Sequence, residues 1–434
     1  MSKMDLITKY NLKGHPAMGL IMATFGFFIG FAAVSLYGPV AAKLKEVLGI
    51  SGLFVGLLVA APNLSGSLLR IPFAAWVDKV GGKKPLSILL ILSVIGMAGL
   101  SALLYIYYPN NITPDMYWLI VLLGILSGSG IATFSVGIAQ TSYWYPQNKQ
   151  GLALGTFGGV GNLAPGIFGI LLPFALHAFG LPMSYLLWFF FLLAGTIIYL
   201  IVTHDAYYFQ LIHKGVEPEE ARDVAGQLGE ELFPRGTLID SLKNSAKVPS
   251  TWGLVALYFT SFGGFLALTG WFPVYWVKNY HMDLRDAALL MAFGFSLLAS
   301  LIRIYGGHIS DKFGGEKIAI LSFSIVLIGA LIMFVASSFW IALLGEVTIG
   351  AGMGIGNAAV FKLVPKYVPH DAGGAAGWVG GLGAFGGFVV PPILGIFVDS
   401  YGVAGYGKGF LVYVALAVIS IIISFILLGA HREK

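Results

Sequence analysis

The sequence predicts an all-α membrane protein, with twelve transmembrane helices in two pseudo-symmetric six-helix bundles. Three observations predict it. The 434 residues are 57% hydrophobic and only 10% charged, with a mean hydropathy of +0.85, whereas soluble domains carry about 25% charged residues. Twelve apolar runs are each long enough to cross a bilayer core of about 30 Å. The second half of the chain also repeats motifs of the first. Twenty-five Lys and Arg with 20 Asp and Glu cannot cover a soluble protein of this size while hiding so much apolar surface. That excludes soluble enzymes, nucleic-acid-binding proteins and disordered chains. No basic stripe with interleaved aromatics points to nucleic acid. The lack of cysteine excludes disulfides, thiolate catalysis and Cys metal sites. No metal or other cofactor and no enzymatic reaction are expected. Glycine, 59 of 434 residues, is at about twice its usual 7% share, which fits helices whose backbones approach closely.

The N-terminal MSKMDLITKYNLKGHP is short, polar and basic, and the apolar run behind it has no A-x-A-like cleavage site. It reads as a retained first helix and not as a secretory signal. The spans fall roughly at 17–38, 51–77, 85–108, 117–140, 151–174, 184–203, 252–277, 286–309, 317–337, 339–361, 373–398 and 407–430. Connections are short except for 204–250, which carries EPEEARD and GEELFPRG. The predicted organisation is an N-terminal bundle at 1–203, a linker at 204–250 and a C-terminal bundle at 251–434. Eighteen of the 25 Lys and Arg, Arg235 and Lys434 among them, fall on the side that holds both termini and the linker. Five fall on the other side and two within spans. This bias predicts cytoplasmic termini in a cell membrane.

Residues 67–84 (SLLRIPFAAWVDKVGGKK) and 300–317 (SLIRIYGGHISDKFGGEK) match at nine of 18 positions, at an offset of 233. FIGFAAVSLYGPV (28–40) and FGGFLALTGWFPV (262–274) match at six of 13, at an offset of 234. GLALGTFGGVG (151–161) resembles GGAAGWVGGLG (373–383). Spans 1, 2 and 5 therefore echo spans 7, 8 and 11. Parallel repeats of this kind are the mark of a transporter whose substrate binds between the halves near the midplane.

The two intramembrane arginines, Arg70 and Arg303, hold the same place in the two repeats, eight residues before Asp78 and Asp311. Eight residues are about 12 Å of helix, which sets both near the midplane. A midplane arginine is costly and persists only against protein or water, with a partner. One reading is a structural arginine paired with a buried carboxylate. The spans offer few: Glu346, in the outer part of span 10, is the only clear one. The other reading sets the guanidiniums face to face across a central cavity as an anion site. Their forked donors suit a planar oxyanion such as carboxylate or nitrate.

Asp78-Lys79 with Gly81 and Gly82, and Asp311-Lys312 with Gly314 and Gly315, each end a helix in a tight turn. They read as turn geometry and topology, and equally as a latch that breaks during transport. Gly158 and Gly159 in span 5, and Gly380 and Gly381 in span 11, belong to glycine-rich stretches. These read as close packing, or as smooth faces along which helices slide and bend. Gly381, Gly383 and Gly386 match G-x-G-x-x-G, but no strand precedes them, so no dinucleotide site is expected.

The D-K-x-G-G turns in two six-helix halves resemble the major facilitator superfamily. PNLSGSLLRIPFAAWVDKVGGKK (62–84), SYWYPQNKQGLALGTFGGVGNLAPG (142–166), LYFTSFGGF (257–265), GIGNAAVFKLVPK (354–366) and GGLGAFGGFVVPP (380–392) resemble, more narrowly, its nitrate/nitrite porter family. The resemblance covers essentially the whole chain. It implies that Arg70 and Arg303 grip nitrate or nitrite while Phe134, Tyr258 and Phe262 supply aromatic walls and Asn162 lies near the anion. Lys362, after Phe361, departs from the family's usual neutral amide and is expected to add positive potential near the inner gate. Pro165 interrupts the span 5 signature and is expected to kink that helix.

These readings converge on nitrate/nitrite antiport by alternating access, with the anion drawing two like-charged halves together. Proton-coupled nitrate uptake is the first alternative, with His308 the best titratable candidate, one turn past Arg303. A small-carboxylate carrier of the same superfamily and a non-transporting anion sensor are the others. The expected partners are the small anion and the lipid bilayer, and a monomer is expected.

Overall fold

A computed structural model describes residues 3–234, 238–368 and 372–432; Arg235 and Lys434, used above for orientation, lie outside them. The described residues fold into helices and connections, with no strand among them. The crossings are α1 (Pro16–Leu48), α2 (Gly52–Val80), α3 (Lys83–Tyr107), α4 (Pro114–Trp144), α5 (147–179) and α6 (181–202). After the linker come α7 (Pro249–Tyr280), α8 (Leu284–Phe313), α9 (Gly315–Val335), α10 (Phe339–Tyr367), α11 (Gly373–Tyr401) and α12 (Ala404–Gly429).

Among the described residues eleven continuous helical stretches are long and apolar enough to span a membrane, and one of them, Ala153–Val202, runs for 50 residues. Straight, it would be about 75 Å long, more than twice a bilayer core. It turns back at Gly180 (φ 76°, ψ 172°), just ahead of Pro182. Phe168 and Trp188 would stand about 30 Å apart along one helix, yet their ring centroids are 5.0 Å apart. The segment therefore supplies two crossings, and the fold has the twelve that the hydropathy pattern predicts.

Glycine conformation closes the repeated turns. Gly81 and Gly314 end α2 and α8 at φ +79° and +91°, in the left-handed region that side-chain-bearing residues avoid. Interruptions cluster near mid-helix. In α2 one turn residue, Leu69, precedes Arg70. The α5 helix breaks at Asn162–Leu163 and restarts at Ala164, with Pro165 in the first turn. Pro165 thus sits where its missing N–H costs nothing, and the break comes before it; the expected kink at Pro165 is corrected accordingly. Both α7 and α8 carry π-helical turns, at Phe259–Gly263 and Met291–Ser296.

The linker is folded. Helices Tyr207–His213 and Pro218–Leu228 pack with Lys3–Lys9 and Trp144 into a small second core. A third helix, Leu238–Ala246, lies on the start of α11. There Ser241 Oγ accepts the Gly374 N–H at 3.1 Å, and the Leu242 carbonyl accepts Trp378 Nε1–H at 3.0 Å. A β-carbon on Gly374 would stand 2.3 Å from the Ser241 carbonyl oxygen, so glycine makes this docking possible.

The two faces differ. On the face away from the linker the halves touch backbone to backbone. A β-carbon on Gly38 would lie 2.6 Å from the Gly270 oxygen, and one on Gly56 2.3 Å from the Pro391 oxygen. Lys278 and Glu46 pair across the same seam at 2.6 Å. On the linker face Gly155, Gly158 and Gly159 have nothing within 4 Å of a built β-carbon. The chain is closed on the far side and open toward the linker.

Candidate functional site

Arg70 is fully buried. A guanidinium at that depth needs compensation, and backbone carbonyls supply it. Nε–H donates to the Gly66 oxygen at 3.0 Å, Nη1 to the Gly380 oxygen at 3.2 Å and Nη2 to the Ile131 oxygen at 3.5 Å. The Gly380 contact crosses from α2 to α11, between the halves. The guanidinium carbon also stands 5.0 Å from the Phe134 ring centroid and 5.1 Å from that of Phe262, within cation–π range.

Arg303 reaches the same region from α8. Its Nη1 is buried and has no hydrogen-bond partner among the described residues. It is close enough to Arg70 for the two charges to repel, and Tyr258 lies within electrostatic reach of both. Among the described residues neither guanidinium has a carboxylate partner. Glu346, the carboxylate considered for that role, is fully buried and takes Trp276 Nε1–H at 2.7 Å instead. Its other oxygen has no partner among the described residues.

The aromatic walls come from both halves. Phe134 and Phe262 face each other with centroids 6.1 Å apart and planes at 26°. Tyr258 stacks on Phe262 at 5.0 Å and 11°. A flat anion between two rings needs about 7 Å, twice the contact distance of about 3.5 Å. The Phe134 and Phe262 rings are thus about 1 Å too close to enclose one in this conformation. Below them a cavity of about 530 Å³ leads toward the linker face, lined by Phe134, Gly158 and Gly159 on one half and Arg303, His308 and Phe361 on the other.

The chain matches the family profile of the Major Facilitator Superfamily over residues 23–391 and 290–434. It is 30% identical over 402 residues to the "Probable nitrate/nitrite antiporter NarK1" of Thermus thermophilus, covering 86% of this chain and 83% of that protein. The chain belongs to the nitrate/nitrite porter family of the Major Facilitator Superfamily. The "Probable nitrate transporter NarT" of Staphylococcus haemolyticus is 28% identical over 433 residues, 98% of this chain and 99% of that protein. The xylose transporter XylE of E. coli, in a partially occluded inward open conformation, shares the fold with a TM-score of 0.70 at 15% identity, over 94% of this chain and 98% of that one.

Within this porter-family chain the six expected binding residues are not equally placed. Arg70, Phe134, Tyr258 and Phe262 form one contiguous cluster. Asn162 and Arg303 border an adjoining crevice that Phe262 also lines. Of the expected moving parts, Asp78 accepts the Tyr143 hydroxyl at 2.6 Å and Asp311 pairs with Lys362, each within its own half. Lys79 and Lys312 are exposed. Lys362 is therefore compensated by Asp311, which corrects the expectation that it adds free positive potential. The glycines also divide. Gly158 and Gly159 face open space, Gly380 lends its carbonyl to Arg70, and a β-carbon on Gly381 would meet Ile71 at 2.6 Å.

The sequence reading missed Asn357, which lines the same crevice as Asn162. A signal was present: Gly354-Ile355-Gly356-Asn357 repeats the G-x-G-N pattern of Gly159-Val160-Gly161-Asn162. Small residues on both helices let the amides approach the seam.

Proposed function

We propose that the chain is a secondary active transporter that exchanges nitrate for nitrite by alternating access, one anion at a time held between Arg70 and Arg303. The observation that carries this reading is a pair of arginines from opposite halves, Arg70 fully buried and Arg303 with its Nη1 buried, bordered by facing aromatic rings and lacking a carboxylate among the described residues. Empty, the site sets two like charges against each other. An anion turns that repulsion into attraction, so the halves close readily only around substrate, as obligatory exchange requires. Residues 1–203 and 251–434 move as the two bodies, and 204–250 joins them. The relatives named for nitrate and nitrite transport support the substrate class. The protein works as a monomer in the cell membrane, with its termini and linker in the cytoplasm.

Proteoliposomes loaded with nitrite take up labelled nitrate under this reading, and vesicles without internal nitrite take up little. Strong uptake driven by an imposed pH gradient alone rejects exchange. Glu346 favours that second reading, proton-coupled nitrate uptake: it is a fully buried intramembrane carboxylate with one oxygen unpartnered among the described residues, and carboxylates in such places mark proton relays. The lack of cysteine makes single-cysteine labelling a direct test of orientation. A cysteine introduced in the linker is shielded from impermeant reagents on intact cells if the linker is cytoplasmic.

A further inference from the structure

Three buried polar atoms without partners among the described residues converge beside Phe262: Arg303 Nη1, Asn162 Oδ1 and Asn357 Oδ1. Asn162 and Asn357 are only 2% and 3% exposed. The residues line one crevice between the halves, too tight in this conformation to admit a water-sized sphere. Unpaired buried polar groups are unfavourable, and native proteins retain few of them. Three around one crevice point to a ligand there once the halves shift: an anion meets Arg303 Nη1 directly, and meets the amides once they turn –NH2 toward it.

We propose that Asn357 donates a hydrogen bond to the third oxygen of nitrate and so sets the preference for nitrate over nitrite. The assignment deepens the substrate reading given above and rests on it. Nitrate is trigonal and planar with three acceptor oxygens; nitrite has two oxygens and a lone pair on nitrogen. Forked donors from Arg70 and Arg303 on opposite sides serve two oxygens of either anion. The third oxygen exists only in nitrate and needs a donor that is not already committed. A half turn about its last side-chain bond lets an amide present –NH2 in place of C=O, so Asn357 can meet that oxygen. It stands on the half that carries Arg303, while Asn162 faces it from the other half. The Asn162 carbonyl is tied to α8 by the Ser300 hydroxyl at 3.1 Å, which holds this part of α5 against the crevice. A site built to hydrogen-bond one group discriminates against the analogue that lacks it, because its own polar group is then left unpaired.

The test is binding of nitrate and of nitrite to the purified full chain, as wild type, Asn357→Ala and Asn357→Ser. Nitrate affinity of Asn357→Ala falls by about tenfold, while nitrite affinity changes by less than about twofold. Asn357→Ser keeps a hydroxyl donor and loses less for nitrate. Equal losses for both anions make Asn357 a packing residue and overturn the proposal, as does unchanged nitrate affinity in both variants. Wild-type protein that binds neither anion overturns the substrate reading and this assignment with it.

Discussion

The Asp399 carboxylate on α11 accepts the Gly52 N–H at 2.5 Å and the Leu53 N–H at 2.8 Å, so one half of the molecule caps a helix of the other. Ser51, which holds the N-cap position of that helix, makes no side-chain cap bond of its own. The first N–H groups of a helix need acceptors, and here they find them only while the far side is shut. Asp399→Ala removes both. A lost cap costs about 1 kcal/mol, so the ratio of linker-open to far-open molecules falls about fivefold. Labelling of a cysteine placed at Val59, beneath the seam, reads the change from the far side. Unchanged labelling shows that the cap does not govern closure.

The arginines differ in their surroundings, and lysine replacement tests both. Arg70 spreads three donor nitrogens over three carbonyls, and a single ammonium cannot reproduce that fork. Arg70→Lys therefore loses the Gly380 link across the halves as well as the substrate. Arg303→Lys has no carbonyl set to lose and, apart from its contact with Tyr258, acts on substrate. Exchange falls at least about a hundredfold in both, but only Arg70→Lys also lowers thermal stability. Wild-type exchange in either variant removes that residue from the site.

Glycines that look alike in sequence behave oppositely in space. A β-carbon on Gly56 would stand 2.3 Å from the Pro391 oxygen, while one on Gly159 would meet nothing within 4 Å. Gly56→Ala therefore disfavours the far-closed state and increases labelling from the far side. Gly159→Val leaves this conformation undisturbed and obstructs closure of the linker side, trapping the protein as it stands. Both variants abolish exchange, but cysteine accessibility moves in opposite directions. The same direction in both discards the assignment of which face is open.

This contrast also marks what was legible in the sequence. Hydropathy gave the crossings, because a bilayer imposes length and apolarity on each one. The repeat gave Arg70 and Arg303, because charge at midplane is rare enough to stand out. Packing partners were not legible. Nothing in the residue string separates Gly56, pressed on Pro391, from Gly159, facing a cavity, since that difference belongs to one conformation. The docking of Ser241 on Gly374 escaped for a related reason: a short polar linker helix has no membrane constraint to betray its place. Glu346 was visible as a buried charge, but Trp276, 70 residues away, could be named as its partner only from the fold.

Glu230 supplies a pH dependence outside the membrane. It is buried, and its two oxygens accept the N–H groups of Tyr207 at 2.5 Å and Tyr208 at 3.0 Å, at the start of the first linker helix. Burial pushes its pKa up from 4.5 to about 8, and the two N–H donors only partly oppose the rise. The folded state thus holds this proton more tightly than the unfolded chain does. The stability contributed is complete below about pH 4.5 and is lost as pH rises to about 8, by at most about 1.4 kcal/mol per pH unit. Hydrogen exchange over residues 204–230 accordingly speeds up from pH 5 to pH 8.5 beyond its intrinsic rise. Glu230→Gln resembles the protonated acid, with one acceptor oxygen and no charge, so this extra slope disappears. A variant that keeps the wild-type slope shows that another group titrates in the linker.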